Sequence, residues 1–133
     1  MAANDNTKTA AYENYPANRL TGGSLPSTSV TNGTYISQQI STADFDELTI
    51  EARMASGAAD ADMKVEVFPV DSAGITYVLA LPPTQSAGPK YDASSSAVTY
   101  WGVFDVSGQN KVEVRITNNA ATPKNVSYNF HLD

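Results

Sequence analysis

The sequence predicts an all-β fold, an antiparallel β-sandwich or jelly-roll-like domain of about seven to eight strands with an extended N-terminal arm. Three observations predict it. Apolar and polar residues alternate with a period of two over many short segments, the signature of strands with one buried face. Turn residues punctuate these segments too often for long helices to fit between them. No window sustains the 3.6-residue period of an amphipathic helix.

The elements follow in order. Residues 1–30 are rich in Asn, Thr, Ala, Gly, Ser and Pro, with apolar side chains only at scattered positions such as Tyr12, Tyr15, Leu20, Leu25 and Val30. Such a segment buries too little apolar surface to offset its own ordering entropy, so it is expected to order against something else. Tyr12, Tyr15, Leu20 and Leu25 are its expected anchors, and the domain proper is expected over residues 31–133. Asn32-Gly33 is a turn signal ahead of a strand over Thr34–Ile40. Leu48, Ile50, Ala52 and Met54 alternate with Thr49, Glu51 and Arg53, and Met63, Val65 and Val67 with Lys64 and Glu66, up to Pro69.

Asp71-Ser72-Ala73-Gly74 predicts a turn into a strand carrying Ile75, Tyr77, Leu79 and Leu81, stopped by Pro82-Pro83. Thr84–Ser96 reads as a loop. Val98, Tyr100, Gly102 and Phe104 then alternate with Thr99, Trp101, Val103 and Asp105. After Ser107-Gly108-Gln109-Asn110, Val112, Val114 and Ile116 form the next strand, and Val126, Tyr128, Phe130 and Leu132 the last.

Composition excludes several functions. Lys and Arg number 8 against 14 Asp and Glu, a net charge of −6, which opposes nucleic-acid binding. With no cysteine there is no disulfide, thiolate metal site or Cys nucleophile. No apolar run approaches the ~20 residues of a membrane span. Met1-Ala2-Ala3-Asn4-Asp5 lacks the pattern of a secretory signal, so assembly in a cytoplasm is expected, where the sequons at Asn32 and Asn125 carry no meaning.

Catalysis finds little support. The only histidine, His131, sits on the polar phase of the last strand, and no Gly-x-Ser-x-Gly elbow positions a serine for it. The carboxylate pairs Asp44/Asp46, Asp60/Asp62 and Glu51/Glu66 read as turn residues or as strand residues beside a cation. Asp60, Asp62 and Asp71 are oxygen donors a calcium ion would need, but the EF-hand spacing is missing. The expectation is a non-enzyme with no catalytic residue, cofactor or metal. Trp101 lies on the opposite phase from Tyr100 and Phe104, so one of these groups faces away from the core. An outward Trp101 with Tyr91 and Tyr77 nearby suits a sugar or a partner subunit; the plain alternative is a strand covered on both faces.

Three stretches carry a resemblance: Ile40-Ser-Thr-Ala-Asp-Phe-Asp-Glu-Leu-Thr-Ile-Glu-Ala-Arg53, Lys64-Val-Glu-Val-Phe-Pro69 and Phe104-Asp-Val-Ser-Gly-Gln-Asn-Lys-Val-Glu-Val-Arg-Ile-Thr-Asn-Asn119. Over residues 30–133 the chain resembles the small β-sandwich virion proteins of tailed bacteriophages, especially capsid decoration (auxiliary or cement) proteins. The last stretch is also similar to strands of carbohydrate-binding jelly rolls. The likeness is one of style, without a diagnostic motif. The phage resemblance implies a structural protein on the capsid exterior that binds the major capsid protein and copies of itself, as a trimer around a lattice axis. Versions of it place the chain at the tail or head–tail junction.

Overall fold

The structure is a computed structural model that describes residues 22–133. Among the described residues eight strands run in chain order: β1 (Gly22–Val30), β2 (Tyr35–Ser41), β3 (Glu47–Ala55), β4 (Met63–Pro69), β5 (Pro83–Asp92), β6 (Ala97–Asp105), β7 (Lys111–Asn118) and β8 (Lys124–Leu132). They form a five-stranded sheet ordered β1-β8-β3-β6-β5 and a three-stranded sheet ordered β2-β7-β4. Every pairing is antiparallel. This is the all-β sandwich that the alternation predicts.

The core forms where the apolar phases of the two sheets meet. Leu48, Ile50 and Met54 from β3, Val98 and Phe104 from β6, and Val126 and Tyr128 from β8 pack toward Ile40, Val67, Val112, Val114 and Ile116 of the smaller sheet. Each fully buried aliphatic or aromatic side chain there contributes on the order of 1.5–3 kcal/mol. Gly102 is required by a close approach: a Cβ at this position would collide with the Tyr100 ring and its hydroxyl. Two buried polar side chains fasten the ends. Asn118 Nδ2 donates to the carbonyls of Val30 (2.8 Å) and Thr122 (3.0 Å), while its Oδ1 accepts from Ala120 N (2.8 Å). Thr42 Oγ1 donates to Gln109 O at 2.7 Å. Both are buried without an unmet hydrogen bond, as a low-dielectric interior demands.

Three expectations change. Residues 22–30, expected in the arm, form β1, which pairs with β8 from Gly22↔His131 to Val30↔Lys124. An edge strand needs few inward apolar residues, so its sequence carries almost no alternation. The segment expected as a strand, 75–81, is irregular apart from a single bridge between Val70 and Thr76. Asp71 Oδ1 accepts from Ala73 N and Ile75 N, and this tight turn sends the chain past the edge of β4, where Tyr77 N donates to Pro69 O and Leu81 N to Val67 O. The stretch expected as a loop, 84–96, instead supplies most of β5, held by its ladder to β6 while most of its side chains face solvent.

Candidate functional site

Two outward surfaces remain once the core is accounted for. The first is the outer face of the five-stranded sheet. Register places Glu51 of β3 and Ala87 of β5 on either side of Trp101, with Arg53, Thr99 and Lys90 in the next row and Asn129 beyond Glu51. Small residues open the space beside the indole. Ala87 and Gly88, with Glu51, Lys90, Thr99 and Trp101, line an open groove of about 580 Å³. Gly88 cannot be another residue without strain: its φ is +91°, and a Cβ would lie 2.6 Å from the Thr99 carbonyl. A half-exposed aromatic plane flanked by a carboxylate, an ammonium and a hydroxyl can stack on a flat apolar surface and bond its polar rim.

Trp101 therefore faces outward, on the solvent side of its sheet. Tyr91 does not join it. It pairs with Val98 and packs on the core, so the two aromatic residues lie on opposite faces of the sheet. Tyr77 belongs to the other surface, 54% exposed. Leu25, expected as an anchor of the arm on a partner, pairs with Tyr128 and packs on its own core. Tyr12, Tyr15 and Leu20 lie outside the described residues.

The acidic candidates are occupied by backbone. Asp62 Oδ2 accepts from Ala58 N and Ala59 N, and Asp60 Oδ1 accepts from Tyr91 N at 2.7 Å. Glu51 and Glu66 stand on different sheets. Exposed His131 pairs with Asp133 at 3.3 Å. Among the described residues no group of three or more His, Cys, Asp or Glu is arranged to hold a metal ion. Hydrogen bonds from Ser94 and Ser95 hold the Asp92 carboxyl below its ordinary range, and the Ser107 amide does the same for Asp105. Burial pushes the hydroxyls of Tyr100 and Tyr128 up.

The second surface lies over the three-stranded sheet. Arg115 sets its guanidinium 4.4 Å from the ring centres of both Tyr35 and Phe68 and makes a two-pronged contact with Glu113 (Nε 3.1 Å, Nη2 2.7 Å). Thr76 donates to the other Glu113 oxygen at 2.6 Å. Thr76 thus ties the 71–82 connection down, but the connection leaves its apolar tip in solvent: Ile75 is 62% exposed, Val78 91% and Leu79 79%. Contiguous exposed apolar groups are unusual on a protein that acts alone. Sequence reasoning missed this tip, although a signal was there. Tyr77-Val78-Leu79-Ala80-Leu81 is a continuous apolar run, which an alternating half-buried strand does not require.

No protein-family model matches the chain, and no curated protein matches it. Among solved structures it is similar to the SPBc2 prophage-derived protein YomS, at 16% identity and a TM-score of 0.49 over 84% of this chain and 93% of that one. It is also similar to the CBM22-1 xylan-binding domain of Paenibacillus barcinonensis Xyn10C, at 14% identity and a TM-score of 0.49 over 80% and 71% of the two chains. A glycoside hydrolase family 115 glucuronidase matches at 9% identity and a TM-score of 0.48; this chain spans 16% of its length.

Proposed function

We propose that the chain is a structural, non-catalytic virion subunit of a bacteriophage, a capsid decoration protein that binds the major capsid lattice from outside after assembly in the host cytoplasm. The observation that carries this reading is the exposed apolar tip of Ile75, Tyr77, Val78 and Leu79, held on a stiff sandwich by the Thr76–Glu113 hydrogen bond. Burying that tip between subunits removes apolar surface from water at roughly 25 cal/mol per Å², and a rigid scaffold loses little entropy in doing so. The leading residues Tyr12, Tyr15 and Leu20 are proposed as a second contact. A place at the tail or head–tail junction would use the same surfaces.

The test is co-purification with particles. The unaltered chain is expected on capsids in fixed stoichiometry, and the double substitution Val78→Ser/Leu79→Ser is expected to leave them while melting unchanged. Undiminished binding by that variant would remove the tip from the interface.

The groove beside Trp101 favours a second reading, in which the outer face of the five-stranded sheet binds a glycan by stacking on the indole. Trp101→Ala would then abolish the signal on a glycan array and leave particle binding intact.

A further inference from the structure

A two-sheet sandwich has four edges, and an edge strand is a template for another chain unless something blunts it. Three of the four are blunted here. β1 carries Pro26 and a register break between Leu25 and Thr28. β5 carries Pro83, Pro89 and two register breaks. The outward carbonyls of Val67 and Pro69 on β4 already accept from Leu81 N (2.7 Å) and Tyr77 N (2.9 Å).

Among the described residues β2 shows none of these devices. It reads Tyr-Ile-Ser-Gln-Gln-Ile-Ser, without proline, glycine or charge, and pairs with β7 over all of Tyr35–Ser41 without a break. Its ladder phase follows from its ends. Asn118 N donates to Thr34 O (2.9 Å) and Thr42 N to Asn110 O (3.0 Å), so the even-numbered residues turn their backbone groups toward β7. Tyr35, Ser37, Gln39 and Ser41 therefore present their N–H and C=O groups outward, and among the described residues nothing pairs with them.

We propose that β2 pairs antiparallel with β2 of a second copy, about a two-fold axis at Gln38, joining two three-stranded sheets into one of six. The strand is its own complement, which is why the occupant is a second copy. Overlap of the full strand sets Tyr35 opposite the second copy's Ser41 and Ser37 opposite its Gln39. On the core side it sets Ile36 opposite Ile40, enclosing an isoleucine that the single chain leaves half-buried. No like charges meet, because the strand has no charge. The pairing makes the solution unit a two-fold dimer, not a trimer. It also uses a different surface from the 75–79 tip, so either can fail without the other.

Sedimentation equilibrium of the full chain tests it. The unaltered protein is expected at the dimer mass. Ser37→Lys/Gln39→Lys sets Lys against Lys across the axis and is expected to raise the dissociation constant roughly tenfold or more. Ser37→Glu/Gln39→Lys sets Glu against Lys in the same register and is expected to restore the dimer. Both positions lie on the solvent side of the sheet, and melting curves confirm that each variant is folded. A monomer or trimer mass for the unaltered chain overturns the proposal. So does a Glu/Lys variant as dissociated as the Lys/Lys one. A dimer lost on removing residues 1–21 but indifferent to the Lys pair would assign the edge to that segment instead.

Discussion

The two outer faces of the sandwich are built from the same alternating pattern and have opposite fates. On the five-stranded sheet, Glu51, Arg53 and Thr99 stand in solvent around a half-exposed Trp101. On the three-stranded sheet, Phe68 and Glu113 occupy equivalent outward positions yet are only 5% and 8% exposed. Arg115 and the 71–82 connection account for the difference by laying a third layer over that face. Strand periodicity decides which side chains point away from the core. What a loop does afterwards decides whether those side chains meet water.

The sharpest break of this comparison is a pair of aromatic truncations. Phe68→Ala is expected to lose about 3–4 kcal/mol, as for a core residue, and Trp101→Ala about 1–2 kcal/mol because one side of its ring is already wet. Equal losses in chemical denaturation would show that both faces are covered alike. Next come the carboxylates. Glu113→Ala leaves Arg115 and Thr76 without their acceptor under the loop and is expected to cost about 2–3 kcal/mol, whereas Glu51→Ala should stay within about 0.5 kcal/mol.

The layer between the faces responds to alkali. Tyr128 and Tyr100 have hydroxyl pKa values raised by burial above the ordinary 10.0, so the unfolded chain gives up these protons first. Their contribution is complete below pH 10 and is lost as pH climbs above that value. Melting temperature should fall above pH 10, and Tyr128→Phe should flatten the fall. The smallest effect is expected at the tip, where Val78→Ser/Leu79→Ser changes stability by less than about 0.5 kcal/mol because these side chains touch little of their own chain.

Most of the fold was legible because six strands carry a period-2 pattern fixed by a buried face. The two adjacent segments 75–81 and 83–92 show where that signal ends. Ile75, Tyr77, Leu79 and Leu81 alternate as a strand should, yet the Asp71 turn and the β4 edge hold this chain as a loop. Thr84, Gln85, Ser86 and Ala87 show no alternation, yet the β6 ladder makes them a strand. Edge strands and exposed apolar loops are set by backbone pairing and turn chemistry, which hydrophobic periodicity does not report. At the candidate surfaces the outward phase of Trp101 was legible. The stacking of Arg115 between Tyr35 and Phe68 was not, since it joins three strands through side-chain reach alone.

One detail of the strand order bears on how the molecule is made. β8 lies between β1 and β3, so the five-stranded sheet is closed by residues 124–132, which leave the ribosome after the seven strands before them. Until they emerge, β1 lacks its β8 partner, the neighbour it has among the described residues, and β3 is paired on one side only. Translation thus delivers an unfinished sheet whose missing plank follows the other seven strands, and crowding of nascent chains is most hazardous in that interval.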